Sequence, residues 1–439
     1  MNIRFFSSTA LALSTLIIVG AVRAEGYVAG RSAEIGARIH NIDTATLEAQ
    51  LAREPGTVMI DVRTPDEVLL RGGLIDAPRT YNLPLGWLPF RIGDYAPDKD
   101  APIVVYCGLN LRSPLAAAQL MDMGYARVSN YADGVFAWRD AGLPIEAPDE
   151  ALDSFLFSKP VRVTDGVWTA VGATEPQTYA NSGHNNNLTM IETGEGLVLV
   201  NAAGNYLLAQ AWHEAIRAIS DQPVKYVIWE NGQGHAAFGS AYWKEQGAHI
   251  IAHADAALEL EQYGPEALER VRRLQRDKAL GARIVMPDET FEDKKVIELG
   301  GVRIELLHLG PAHSPGDISV WLPQKKTLIA GDIAFHQRLL AVFEHTDHKG
   351  WIKTWDAFSA LRPEIVVPGH GAPTNLEEVT RWTQGYLLHL RAEIGALLEA
   401  GGELDEAADI DQSAYSHLDT FEELARLNAQ VVFRQMEFE

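Results

Sequence analysis

The stretch IVVYCGLNLRSPLAAAQLMDMG, residues 103–124, joins a buried-strand pattern to a helix start. Ile103 to Tyr106 are apolar without a break, as a core strand requires. Ser113 reads as a helix N-cap, Pro114 as the first helical residue and Gly124 as the stop. The loop between them opens onto a helix N-terminus, whose unpaired N–H groups and dipole hold an anion, and Arg112 adds fixed positive charge. Cys107, the single cysteine of 439 residues, heads that loop. It is the candidate nucleophile, with Arg112 as its electrostatic partner and Gly108, Leu109, Asn110, Leu111 and Ser113 as the substrate-binding loop. The alternative is a buried, inert thiol acting as a small apolar side chain.

Outward from this loop, the chain has the pattern of an exported protein. Arg4, the apolar run Leu11 to Val19 and the small-residue site Val22-Arg23-Ala24 read as a signal peptide over residues 1–24, which predicts a periplasmic or secreted location. No later run approaches the roughly 20 apolar residues of a membrane span, so an integral membrane protein is not expected. The formal charge is −22. Loss of Arg4 and Arg23 with the leader would make it −22 − 2 = −24, a surface that repels nucleic acid. One cysteine permits no intramolecular disulfide.

Strand and helix patterns alternate over residues 35–148, and an acidic, Pro-containing linker follows at Pro144 to Asp153. A second segment, 155–375, begins with the strands Leu188 to Thr193 and Leu197 to Val200. It continues through the helices Leu207 to Ile219 and Gly239 to Gln246 and the strands Val302 to His308, Ile318 to Leu322 and Thr327 to Ile329. Residues 376–439 read as a helical extension, with helices at Glu377 to Glu399 and Thr420 to Met436.

The motifs IDVRTPDE (residues 60–67), CGLNLRS (107–113) and DGVFAW (133–138) make the first segment resemble a rhodanese domain. The resemblance implies an α/β fold and sulfur transfer: the Cys107 thiolate takes sulfane sulfur from a small sulfur-containing donor and passes it to a thiol or protein acceptor. Four residues between Cys107 and Arg112 match the sulfurtransferase loop, one shorter than that of related phosphatases. The family's Gly-His-Ile turn reads Gly73-Leu74-Ile75 here, and Asn110 stands where many members have glycine. Asp61 and Arg63 are expected to form a structural ion pair, and Trp138 to be core.

The second segment resembles the metallo-β-lactamase superfamily, which implies an αββα sandwich. GPAHSPGDISVWLP, LIAGDIAF and VVPGHGAPT supply His313, Asp332 and His370, which in the family are metal ligands. The early His-x-His-x-Asp-His motif is degraded: alignment through Phe238-Gly239 puts Asn231, Gln233, His235 and Ala236 at its four ligand positions. Neutral amides are poor zinc ligands. Two metals are therefore not expected; His235, Asp332 and His370 would hold at most one zinc ion, leaving His313 alone at the other position. His184, His253 and His308 read as structural or supporting, and His336, His345 and His348 as an exposed loop beside the site. Three readings follow. The leading one is an exported sulfurtransferase carrying persulfide on Cys107, fused to a degraded metallo-hydrolase-like domain; the others are a single-metal hydrolase and a non-catalytic accessory protein of periplasmic sulfur or quinoprotein oxidation.

Overall fold

The computed structural model describes residues 34–147 and 154–439, so the expected leader and most of the expected linker lie outside the described residues. The chain forms two compact units, Met1–Asp153 and Ser154–Glu439.

In the first unit, five parallel strands run in the spatial order His40–Ile42, Val128–Tyr131, Ile103–Tyr106, Val58–Asp61, Thr80–Asn82. The central strands VMID and IVVY are buried throughout, because helices cover both faces of a parallel sheet and leave no solvated side to favour alternation. Register aligns Asp61 with Tyr106, so Val62-Arg63 and Cys107 leave the same carboxyl-terminal edge. Loops at that edge are where open α/β sheets place their ligands. Helix Ser113–Asp122 follows, with Arg112 rather than Ser113 in the N-cap position and Ser113 buried as its first residue. Pro114 therefore sits one position deeper than the sequence predicts, which the first helical turn tolerates because its N–H groups have no intrahelical partner.

In the second unit two sheets face each other. One has seven strands, ordered Glu289–Phe291, His249–His253, Val224–Ile228, Leu197–Val200, Leu188–Glu192, Val167–Ala170, Val161–Thr164; the other has five, ordered Lys294–Leu299, Val302–Leu307, Ser319–Leu322, Thr327–Phe335, Ile365–His370. Ile191, Val198, Val200, Ile228 and Ile251 of the first pack with Ile304, Leu306, Val320, Ile329 and Val367 of the second as one buried layer. Helices such as Tyr206–Arg217 and Ala254–Gln275 cover the outer face of one sheet, and His348–Ala360 with the carboxyl-terminal helices covers the other. This is the αββα sandwich. The helical extension belongs to its core: Tyr386, Leu390, Ile394, Val432 and Phe433 are buried with Trp351, Trp355 and Phe358.

Two elements depart from the sequence reading. The helix expected over Glu377 to Glu399 is interrupted by a π turn at Thr380–Gln384, where Thr380 Oγ1 donates to Leu376 O and Thr383 Oγ1 accepts from Phe335 N–H. The strand expected to end at Ile329 continues to Phe335, with register shifts around Gly331, whose φ is +60°. Among the described residues, no helix is long and apolar enough to cross a membrane.

Candidate active site and metal centre

Cys107 is buried, and its Sγ lies 3.3 Å from the Leu111 backbone N–H and 3.6 Å from Ser113 Oγ. Sulfur at the head of the loop is thus met by a donor from the loop and a hydroxyl from the first helical residue. The loop closes because Asn110 adopts φ +57°, a left-handed conformation that asparagine tolerates, and its Oδ1 accepts from Asn130 Nδ2 at 2.9 Å. The DGVFAW motif supports the loop from beneath. Val135 N–H bonds Cys107 O, and a Cβ on Gly134, at φ +77°, would lie 2.3 Å from Gly108 O. Glycine is required there.

Arg112 has a carboxylate partner. Its Nη1 donates to Glu67 Oε2 at 2.7 Å, and Glu67, fully buried, also accepts from Thr64 N–H at the start of helix Pro65–Leu70. Arg112 fixes the loop to the IDVRTPDE segment. Arg63 and Asp61 form a fully buried ion pair at 2.6 Å, and Arg63 also donates to Arg71 O and Gly73 O, holding the turn that reads Gly73-Leu74-Ile75. Trp138 is core, with its indole N–H on Pro144 O. The loop's outer rim is more open, since Leu111 is 42% exposed.

In the second unit the superfamily's ligand positions converge. His235, Asp332 and His370 are all buried and offer ligand atoms within 4.8 Å of one another. His235 comes from the short helix Gly234–Ala237, Asp332 from the irregular strand after Gly331, and His370 from the end of Ile365–His370. Glycines make the room: a Cβ on Gly369 would lie 2.1 Å from Asp332 Oδ1. His313 is buried too, its Nε2 at 3.9 Å from Asp332 Oδ2, between Phe335, Phe343 and Trp351. Asn231 contacts the cluster through an amide. Its Nδ2 donates to Asp332 Oδ2 at 3.2 Å, so an amide N–H occupies the carboxylate oxygen on that side. Gln233 supplies no ligand; it is the N-cap residue of the helix carrying His235.

Protonation follows from the hydrogen bonds. His370 Nδ1 bonds the Asn185 carbonyl and His313 Nδ1 bonds the Ala341 carbonyl at 3.1 Å. A carbonyl only accepts, so His313 Nδ1 carries the proton and its Nε2 presents a lone pair toward Asp332, whereas His370 Nδ1 meets both the Asn185 carbonyl and the Arg338 Nη1 donor, 3.2 Å away. Burial pushes His313 down to about 4. Burial opposes the charge on Asp332, but His370 and His235 outweigh it and hold the carboxyl below its usual range. Burial, then Asp332, push Glu230 up. His370 Nε2 and Asp332 Oδ1 lie 3.3 Å apart, and Asp332 Oδ1 and His235 Nε2 make no hydrogen bond. Such buried unpaired atoms are costly unless a cation lies among them. The residues present therefore fit a single metal ion.

The remaining histidines divide. His253 and His308 stack at 4.2 Å, and His184 is fully buried. Of the three expected on an exposed loop, His345 is exposed, His336 bonds Ala372 O at 2.8 Å, and His348 is buried against Gln435 and Arg391 because it begins a helix packed on the carboxyl-terminal one. Two features were missed in the sequence. The run Asn185-Asn186-Asn187 is buried: Asn185 O holds His370, while Asn187 Nδ2 bonds Pro368 O and Gly371 O around it. Glu230, buried at the end of the strand Val224–Ile228, joins the cluster through His235, 3.2 Å from Nε2. A glutamate closing the apolar run VIWE was the available signal.

Comparison with known proteins agrees with this division. Residues 43–141 match the rhodanese-like domain and residues 182–370 the metallo-beta-lactamase superfamily. A sulfurtransferase of Allochromatium vinosum is 38% identical over 111 residues, 25% of this chain and 98% of the relative. A linear primary-alkylsulfatase of a Pseudomonas species is 24% identical over 259 residues, 50% of this chain and 48% of the relative, so the chain spans about half of that protein. A stereoselective inverting sec-alkylsulfatase from Pseudomonas shares the fold over 63% of this chain and 50% of its own, with a TM-score of 0.52 and 19% identity. By its motifs and the Allochromatium relative, the chain belongs to the rhodanese-like family through residues 43–141, followed by a metallo-beta-lactamase superfamily domain over residues 182–370.

Proposed function

We propose that this chain is an exported sulfurtransferase that carries sulfane sulfur as a persulfide on Cys107, joined to a metallo-hydrolase-like domain that holds one zinc ion and lacks two-metal hydrolysis. The observation that carries the reading is the Cys107 Sγ facing the Leu111 N–H at 3.3 Å at the mouth of a helix. In the first half-reaction the thiolate attacks the sulfane sulfur of a donor such as thiosulfate. A Cys107 S–S bond forms, and sulfite leaves with the electron pair of the broken bond. A thiol or protein acceptor then attacks the outer sulfur, and Cys107 leaves as thiolate, so no external oxidant or reductant is needed. Leu111 N–H and Ser113 Oγ are placed to stabilise the charge on sulfur in both steps. The short loop favours sulfur donors over phosphate esters. Export to the periplasm or beyond rests on the leader-like first 24 residues.

In the second domain His235, Asp332 and His370 would hold the ion, with His313 beside them. When bound, such an ion acts as a Lewis acid toward a coordinated oxygen. A one-metal hydrolase is the second reading, favoured by this cluster and by the alkylsulfatase relative. The test is thiocyanate formation from thiosulfate and cyanide, together with a mass gain of one sulfur atom on the Cys107 peptide. Transfer undiminished in Cys107→Ser would overturn the proposal.

A further inference from the structure

We infer that the rim of the Cys107 loop is a docking surface for a protein acceptor that presents its cysteine on an uncharged, apolar segment. The inference rests on the sulfurtransferase reading and names the partner of its second half-reaction. Two pairs of large apolar side chains stand exposed around the loop. Leu111 lends its N–H to Cys107 Sγ, and Leu115 follows one helical turn later, in the first turn of helix Ser113–Asp122. Trp87, 61% exposed, is the N-cap residue of helix Leu88–Tyr95, and Phe90, 79% exposed, lies in that helix's first turn; their rings meet edge to face at 6.5 Å. Backbone contacts bring the pairs to one edge of the sheet. Leu85 N–H bonds Val62 O and Val62 N–H bonds Tyr106 O, so the short helical turn Leu85–Trp87 sits over the strand end beside Cys107. The two helices then lie side by side and run the same way: Leu88 and Ile92 are buried in one cluster with Ala116, Ala117 and Leu120, and at the far ends Tyr125 Oη donates to Ala96 O at 2.8 Å. Both helices therefore begin at the edge where the sulfur lies.

Single exposed hydrophobic residues are ordinary, whereas several grouped at one edge mark a contact surface. Three observations choose its occupant. Cys107 is buried, so an acceptor's thiol must be carried in past the rim, and whatever bears that thiol covers the rim. The cations there are already paired, Arg112 with Glu67 at 2.7 Å and Arg91 with Asp94 at 3.0 Å, in a chain of formal charge −22, so the rim holds nothing to draw a small anionic thiol. Four side chains expose an area on the order of a few hundred Å², short of the roughly 800 Å² per partner of a stable complex. That area argues against a permanent dimer of this chain and suits an acceptor that leaves after each transfer. In the transfer the acceptor thiolate attacks the outer sulfur of the Cys107 persulfide. A new S–S bond forms on the acceptor, the bond to Cys107 breaks, and its electron pair stays on Sγ, so Cys107 returns as thiolate.

The experiment uses the full chain, loaded with thiosulfate labelled in its outer sulfur, freed of excess donor and then discharged onto two probes: glutathione, and an uncharged synthetic peptide carrying a cysteine between leucines. Per thiolate, transfer to the peptide should be at least about tenfold faster than transfer to glutathione. In the double variant Trp87→Ala, Phe90→Ala the peptide rate should fall at least about tenfold, as loss of aromatic anchors does at interfaces. Loading by thiosulfate and discharge to cyanide or glutathione should stay at wild-type rates, and the thermal midpoint should not fall, because both side chains are exposed. Equal rates for the two probes, or a peptide rate unchanged in the double variant, would overturn the docking surface while leaving Cys107 as the sulfur carrier. A dimer seen in sedimentation of the wild type and dispersed in the double variant would give the rim to a second copy and overturn the assignment. A chain that takes no label on Cys107 would overturn both readings.

Discussion

The Cys107 loop and the His235–Asp332–His370 cluster are built in opposite ways. At the loop, sulfur meets a backbone N–H four residues away and a hydroxyl six away. At the cluster, Asn231 reaches Asp332 across 101 positions and His370 is held by a carbonyl 185 positions earlier. A contiguous loop works as one conformational unit: with Asn110 at φ +57°, the Leu111 N–H faces the sulfur. A site gathered from separate strand ends can lose partners singly. Here Asn231 puts an amide on Asp332, and Glu230, one residue earlier, lies 3.2 Å from His235.

The sharpest break in the comparison is Cys107→Ser. Sulfur transfer should fall to the uncatalysed background because no other thiol exists in the chain, while the thermal midpoint of each unit should stay near wild type. Thiocyanate production and calorimetry measure the two halves. Residual transfer would mean that sulfur is carried elsewhere.

The counterpart in the second unit is His370→Ala, which removes one ligand and the anchor on Asn185 O. Elemental analysis should go from one ion per chain to none, with sulfur transfer unchanged. Two tightly held ions in the wild type, or one retained in the variant, would contradict the reading of the cluster.

Gly134→Ala probes whether the loop's conformation is set from beneath. The added Cβ would stand 2.3 Å from Gly108 O at a φ of +77°. Strain of this kind costs about 2–4 kcal/mol, and transfer should drop more than tenfold as the N–H groups move off the sulfur. Loss of stability with full activity would separate the support from the site.

These contrasts also explain what could be read from the sequence. The strand, loop and helix around Cys107 are local patterns, so the first fold and the place of Cys107 in it were legible. The Glu67 partner of Arg112 was not legible, because it meets the arginine across 45 positions. Asp332 was recognised from LIAGDIAF, yet its strand was expected to stop earlier; the bulge at Gly331 lets one strand both continue the sheet and turn a carboxylate inward. The burial of the Asn185-Asn186-Asn187 run was not legible, since it depends on the end of a strand that arrives 181 residues later. The helix Ala254–Gln275 carries Gly264 and Pro265 mid-course, which masks its period.

A smaller effect separates the units by acid. His184, in the second unit, accepts the Phe157 N–H on Nδ1 at 2.9 Å, so its proton sits on Nε2, which is buried without a hydrogen bond. Burial pushes this imidazole from 6.5 down to about 4. The unfolded chain takes up a proton below about pH 6.5, and the folded chain does so only near 4. The contribution of His184 is therefore fully present above pH 6.5 and is lost as pH falls toward 4, by about 3 kcal/mol at most. His313 adds a change of the same sign. In the first unit the one histidine among the described residues, His40, is exposed and brings no such burial. Urea unfolding at pH 7 and pH 5 should show the second unit losing more stability than the first. His184→Asn keeps an acceptor for Phe157 and removes the titration, so it should diminish that loss without abolishing it. An unchanged acid response in this variant would place the sensitivity in the buried carboxylates instead, and the two units would then differ in acid through their charge clusters rather than through a single desolvated ring.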